Sequence, residues 1–344
     1  MSAGPADVTV CIPAYRAGDF IGRTLEAVRR QTYGNLRIVV SLDGPDADTE
    51  AQCRAAAAED DRLELIVQPE PLGWLGNTNF LIGRAATDFF FILPHDDTIL
   101  PDYVETLRGE ALAHPEAVIT FCDVTCVGLS DEIRSTPGLD GSFFERIGAM
   151  LSKPHEGVAW RGLVRRSVAG SRLMPDNDFD GFNAHVTWLL ELLCLGPFHH
   201  VPGRLYLRWR RDDPDSVTTR WRAWSPDRRY SAMAEHTLQC IRVVSTAGRA
   251  DPGERRALVL LLLMRLLANH SGKLAAAAGP EPLVDLDLMR LSELIGRLNG
   301  LELPGPEARH ALAGDPALAS WVERLGGGKK AQAAEPTPGR PRTG

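Results

Sequence analysis

Residues 89–97 read Phe-Phe-Phe-Ile-Leu-Pro-His-Asp-Asp. Five apolar residues in a row suit a strand buried on both faces. Pro94 ends that strand, and two adjacent carboxylates, Asp96 and Asp97, follow at its end. Like charges beside low dielectric are costly unless a cation or hydrogen-bond donors compensate them. A hard divalent ion such as Mg²⁺ or Mn²⁺ would do so, and it would in turn hold a diphosphate. The plainer reading of Asp96-Asp97 is a capping pair ahead of Ile99-Leu100-Pro101.

Outward from this stretch, short apolar runs alternate with helical spacing. Strands are expected at 8–12, 36–42, 63–67, 89–93 and 117–127. Helices are expected at 19–31, 46–59, 77–86 and 101–113, the last opened by Pro101 at its first turn. This alternation predicts an α/β fold whose mostly parallel sheet is flanked by helices. Ligands of such sheets bind at the carboxyl ends of the strands. Here those ends carry Pro13-Ala14-Tyr15, Asp43-Gly44, the stretch 71–79 and Asp96-Asp97. Asp43 suits a ring N–H of a base or, more simply, an Asp-Gly turn. Tyr15 suits stacking on a base or ordinary partial burial.

Past residue 130 the pattern is mixed, with strands expected at 158–164 and 205–209 and a helix at 183–195. From Ser225 onward the reading is helical, over 225–247, 253–275, 284–299 and 306–325. The expected division is an α/β domain (1–224), a C-terminal helical appendage (225–325) and a disordered Gly-, Lys- and Pro-rich tail (326–344). The segment Leu258–Leu267 is apolar nearly all round, which suits burial or a homo-oligomer contact.

The 344 residues carry a formal charge of −7, from 38 basic and 45 acidic side chains. That balance argues against nucleic acid as the partner. No secretory signal and no apolar run of transmembrane length is visible. Six cysteines are too few for a disulfide scaffold and read as reduced, buried thiols of a cytoplasmic chain. A position peripheral to the inner face of the membrane is the alternative. The pair His199-His200 is expected in a surface turn.

Taken in order, Val8-Thr-Val-Cys-Ile-Pro-Ala-Tyr15, Asp43-Gly44, Gly73 to Asn79 and Leu93-Pro-His-Asp-Asp97 resemble the family 2 glycosyltransferases with a GT-A fold. Arg161-Gly-Leu-Val-Arg-Arg166, Trp188-Leu-Leu-Glu-Leu-Leu193, Val201-Pro202 and Leu205-Tyr206-Leu-Arg-Trp-Arg210 extend the likeness to about residue 222.

The resemblance implies that Pro13, Ala14 and Tyr15 line a base pocket and that Asp43 reads the base. Asp96 would contact ribose or metal, and Asp97 would be the main ligand of Mg²⁺ or Mn²⁺. Arg208, Arg210 and Arg211 would meet the diphosphate, or else form a solvated strand edge. Asp213 would add a metal ligand. The donor would be a UDP-, dTDP- or GDP-sugar and the acceptor a hydroxyl, saccharide or lipid-linked, in polysaccharide or glycoconjugate assembly. The implied reaction is metal-dependent and inverting.

Three positions depart from the family pattern. Pro94 replaces an acid, and Thr78 replaces an arginine. Asn183, Ala184 and His185 stand where an acidic general base is usual. His185, with the ordinary imidazole pKa of about 6.5, or Asp180 from the preceding loop would then act as base. A nucleotide-sugar-binding protein without a base is the first alternative. A sugar-phosphate nucleotidyltransferase fits less well, because Pro13-Ala-Tyr-Arg16 is not Gly-rich. Trp209, Trp221 and Trp224 would line an acceptor groove or, in the favoured reading, pin the helical part to the α/β domain.

Overall fold

The computed structural model describes residues 6–129, 131–152, 158–211, 216–247 and 251–263. The chain divides into two compact units, Met1–Gly279 and Pro280–Gly344, and every described residue belongs to the first. The helices expected at 284–299 and 306–325, and the tail from 326, lie outside the described residues.

The first half of the unit winds as the alternation predicts. β1 (Val8–Ala14), α1 (Ile21–Arg29), β2 (Leu36–Leu42), α2 (Ala47–Glu59), β3 (Leu63–Val67), α3 (Gly73–Arg84) and β4 (Phe89–Ile92) follow one another. Their strands are parallel in the order β3-β2-β1-β4. The apolar runs are central because both faces are covered: Val10, Cys11, Ile12, Phe90 and Phe91 are fully buried. Stacking β1 between β2 and β4 sets Ala14, Leu42 and Ile92 at one rim. The loops carrying Tyr15, Asp43 and Asp96 therefore start side by side.

The second half comprises β5 (Thr98–Ile99), α4 (Tyr103–Ala113), β6 (Ile119–Gly128), β7 (Glu132–Arg134), α5 (Phe143–Ser152), β8 (Leu163–Arg165), α6 (Arg166–Ala169), α7 (Ala184–Leu195), β9 (Phe198–Arg210), α8 (Val217–Arg222) and α9 (Pro226–Thr246). The sheet continues in the order β4-β8-β6-β9-β5, with β7 also on β6. β8 is antiparallel to both β4 and β6, β9 is parallel to β6, and β5 is antiparallel to β9. The sheet is thus parallel in its first half and mixed in its second, where a mostly parallel sheet was expected.

Two local readings change for physical reasons. Residues 158–164 are not one strand: Ala159–Arg161 winds as a 3-10 turn, and only Leu163–Arg165 pairs. The bend falls at Gly162, pressed against β6, and it turns the Arg161 side chain under the rim of the sheet. His199 and His200 do not sit in a turn but open β9, opposite Thr120 and Phe121. The register slips between Cys122 and Val124, where Pro202, lacking an N–H, is tolerated at the irregularity. All six cysteines are free and buried.

α9 starts with Ser225 accepting the Arg228 N–H and with Pro226 in its first turn. Its apolar face, including Leu238, Cys240, Ile241 and Val244, is buried, and its His236 Nδ1 lies 3.0 Å from Thr187 Oγ1 of α7. Among the described residues no helix is long and apolar enough to cross a membrane.

Gly162 gives a direct test of the bend. A Cβ there would lie 2.7 Å from the Phe121 Cβ and 2.7 Å from the Thr120 carbonyl oxygen. Gly162→Ala should destabilise the protein by about 1–3 kcal/mol through overpacking. Urea denaturation of the variant checks this; an unchanged midpoint would show that the sheet yields at this point.

Candidate functional site

The site grows from the strand ends of the parallel half. The Asp43 N–H donates to the Ala14 carbonyl at 2.8 Å, and Asp43 Oδ1 accepts from the Leu72 N–H at 2.6 Å. This buried carboxylate therefore joins the ends of β1 and β2 to the start of α3. Gly44, at φ +90, supplies the left-handed turn beside it. His95 Nδ1 lies 3.2 Å from the Pro13 carbonyl oxygen, and Tyr15 stands half exposed at the mouth. Pro13, Ala14, Tyr15, Asp43 and the Asp96 loop thus share one rim. Asn77 Nδ2 donates to the Ser41 carbonyl below it, while its buried Oδ1 has no partner among the described residues.

Asp96 and Asp97 part company. The Asp97 side chain is 3% exposed. Its Oδ1 accepts the Trp209 N–H at 3.1 Å, and its Oδ2 accepts from the Tyr206 hydroxyl at 2.8 Å and from Arg161 Nε at 3.3 Å. Burial pushes this carboxyl above the ordinary range, and the Arg161 guanidinium opposes that push. Burial, with the nearby Asp97 charge, likewise holds the Tyr206 hydroxyl well above its ordinary value. Asp97, expected to be the main metal ligand, directs both of its oxygens to partners within the protein, and of the two carboxylates it is the one withdrawn from the rim. Asp96 is the carboxylate on the rim, 24% exposed, with Oδ2 3.2 Å from Arg211 Nη2. Arg23 donates to its backbone carbonyl at 3.3 Å and lies over the Trp209 ring at 3.8 Å.

Beside this hub opens a cavity of about 440 Å³. Arg134, Arg161 and Arg208 supply charge to its wall, and Trp74, Trp160 and Trp221 supply flat apolar faces. Asn183 and His185 complete its lining from the start of α7. The His185 ring lies 5.8 Å from that of Trp160. The loop delivering it is strained: Asp180, Gly181 and Asn183 have φ of +47, +65 and +56. Non-glycine residues in that region cost about 1–3 kcal/mol each, and such strain gathers at functional sites. Trp74 Nε1 holds the loop by donating to the Asp180 carbonyl at 2.7 Å. The exposed Asp180 side chain is not among those lining the cavity, so of the two expected bases His185 alone faces it.

The arginine cluster does not act as a unit. Arg208 lines the cavity, where burial and then the nearby Arg161 charge lower its guanidinium pKa. Arg210 donates to Glu132 at 2.9 Å, away from the rim. Arg211, beyond the end of β9, reaches Asp96 and lies over the Phe20 ring at 3.5 Å. Asp213 lies outside the described residues. The tryptophans separate too. Trp221 and Trp224 pack with Phe182 at 5.1 and 5.8 Å, holding α8 against the loop before α7, whereas Trp209 rests under Arg23. Trp74, Trp160 and Arg134 were not singled out from sequence. Isolated aromatic and basic residues carry no periodic or spacing signal, and only the folded chain gathers them.

The family model Glycosyl transferase family 2 matches residues 9–170, a little under half of the chain. Glycosyltransferase GlyA of Streptococcus pneumoniae is 30% identical over 100 residues, which are 29% of this chain and 14% of that protein. The putative glycosyltransferase EpsH of Bacillus subtilis is 26% identical over 193 residues, 52% of this chain and 55% of that one. The matches thus span less than two thirds of either relative. The structure of S. aureus TarS 1–349 in complex with UDP-GlcNAc superposes with a TM-score of 0.63. It covers 85% of this chain and 82% of the TarS chain at 12% identity, and it shares the GT-A-type fold.

The two carboxylates should separate in stability. Asp97→Asn removes one partner of a buried pair and should cost about 3–5 kcal/mol. Asp96→Asn, on the rim, should stay within about 0.5 kcal/mol of the parent. Equal urea midpoints for the two variants would contradict the hub.

Proposed function

We propose that this chain transfers a sugar from a nucleoside diphosphate donor to an acceptor hydroxyl, with inversion, in polysaccharide or glycoconjugate assembly. The observation that carries the reading is the joining of two half-sites through Asp97. One is the rim at the carboxyl ends of the parallel strands, with Asp43 and Asp96. The other is a cavity with an imidazole, guanidinium groups and tryptophan faces. Sugar rings suit such aromatic walls, and the arginines suit phosphate oxygens.

In this reading Pro13, Ala14, Tyr15 and Asp43 hold the base, and the Asp43 oxygen not used by Leu72 accepts its ring N–H. A Mg²⁺ or Mn²⁺ ion, held by Asp96 and the donor's phosphates, would stabilise the charge on the leaving diphosphate. One carboxylate completed by phosphate and water oxygens fits a hard cation. Arg211, which reaches Asp96 in the structure, would also be within reach of the donor's phosphates, and Arg208 would answer the diphosphate from the cavity. His185 takes the acceptor hydroxyl proton as that oxygen attacks the anomeric carbon and the C–O bond to the diphosphate breaks. The adjoining Trp160 limits where its ring can point.

The His185 substitution supports a second reading, a nucleotide-sugar-binding protein without a working base. Calorimetric titration of UDP, GDP and dTDP, with and without Mn²⁺, separates these from a chain with no donor site. One nucleotide should bind in the micromolar range, with Mn²⁺ required and binding lost in Asp96→Ala. Turnover should fall about 10²- to 10⁴-fold in His185→Ala with nucleotide binding intact. Nucleotide binding without transfer to any acceptor would favour the second reading. No metal-dependent binding of any of the three would end both.

A further inference from the structure

Far from the cleft, the last turn of α4 meets the start of β9. Glu110 and His114, four residues apart, stand on one face of the helix. His199, paired with Thr120 in the sheet, brings its imidazole over His114. The two rings stack with centroids 3.8 Å apart and planes 24° apart. Glu110 Oε2 lies 3.2 Å from His199 Nε2 and 3.8 Å from His114 Nε2. One donor atom from each of the three residues falls within 4.8 Å of the others.

We propose that Glu110, His114 and His199 form a binding site for a borderline transition ion of the Zn²⁺ type, separate from the catalytic cleft. Donors around a tetrahedral Zn²⁺ stand roughly 3.3 Å apart, given Zn–N and Zn–O distances of about 2.0–2.2 Å. The spacings to Glu110 bracket that value, and binding requires the two stacked imidazoles to turn out of their stack so that both Nε2 lone pairs point at one ion. A water would take the fourth position. Two imidazoles and one carboxylate select Zn²⁺, Co²⁺ or Ni²⁺ over Mg²⁺, which prefers oxygen donors.

A further contact belongs with this assignment. Glu116 Oε1 lies 3.3 Å from His114 Nδ1, on the side of the ring away from Glu110. A carboxylate that accepts the Nδ1–H leaves the Nε2 lone pair for a metal, and such outer partners are a regular part of metal sites. The donors are only partly covered, with side-chain exposures of 39% for His114, 43% for Glu110 and 27% for His199, so an ion can enter from solvent. The site ties α4 to the first residues of the strand whose other end carries Arg208. Nine residues of extended chain, roughly 30 Å, separate the two ends. Its role is a clamp on β9 rather than a part in sugar transfer.

The test uses untagged protein, stripped with chelator and titrated with Zn²⁺ by calorimetry. One ion per chain should bind. At 100-fold excess over Kd, the ion should raise Tm by about 5 °C or more. Co²⁺ in place of Zn²⁺ should give visible absorption bands of a tetrahedral site. His199→Ala and His114→Ala should abolish both, whereas Asp96→Ala should keep them while losing Mn²⁺-dependent nucleotide binding. Glu116→Gln, which touches no metal, should weaken Zn²⁺ about 10-fold or more with the fold unchanged. Absence of Zn²⁺ binding at about 100 μM, or binding undiminished in His199→Ala and Glu116→Gln, would overturn the proposal.

Discussion

The site depends on the buried carboxylate of Asp97. It follows the end of β4 and accepts from Arg161 of the 3-10 turn, from Tyr206 within β9 and from the Trp209 N–H in the same strand. Two segments far apart in sequence, the 3-10 turn and β9, are thereby fixed to the carboxyl end of the parallel strands. Desolvating a carboxylate and a guanidinium together is expensive, and the arrangement holds because three donors meet the two oxygens. The pair contributes position more than stability. It adds to the ladders with β6 and β5 that already set the register of the strand carrying Arg208 and Trp209.

Around this anchor the molecule separates rigid from strained parts. β1, β2 and β4 are packed on both faces and present Asp43 and the Asp96 loop without distortion. His185 arrives instead on a loop with three positive φ angles, held by the Trp74–Asp180 hydrogen bond and by the packing of Phe182 on Trp221 and Trp224. The cost of that conformation is met by aromatic packing, and the imidazole is held facing the cavity. A rigid rim on one side and an over-determined loop on the other is an economical way to set two half-sites at a constant separation.

Electrostatics sort the charged residues by depth. Arg161 and Asp97 are buried and pair with each other. Asp96 and Arg211 are partly exposed and pair more loosely, so an incoming phosphate or cation can part them at little cost. Arg208, desolvated and close to Arg161, is the guanidinium best placed to gain from an incoming anion. The chain carries a net charge of −7, yet the cavity wall is cationic, so the overall balance says nothing about the local field.

Much of this was legible from residues alone. The apolar runs at β1, β2 and β4 gave strands because a doubly covered sheet buries them. Asp43 and the Asp96-Asp97 pair stood out because polar groups directly after such runs must lie at the sheet's edge. The sequence could not say which of the two aspartates faces outward, because one residue of difference is decided by partners 64 and 109 positions away. It could not gather Trp74, Trp160, Arg134 and His185 into one cavity, and it read His199-His200 as a turn because the open edge of β6 was invisible. Local pattern determined the parallel half of the sheet and the rim, since burial period and strand ends are properties of short segments. Tertiary structure alone decided the mixed half, the orientation of Asp97 and the cavity, since long-range hydrogen bonds and packing are properties of the whole fold.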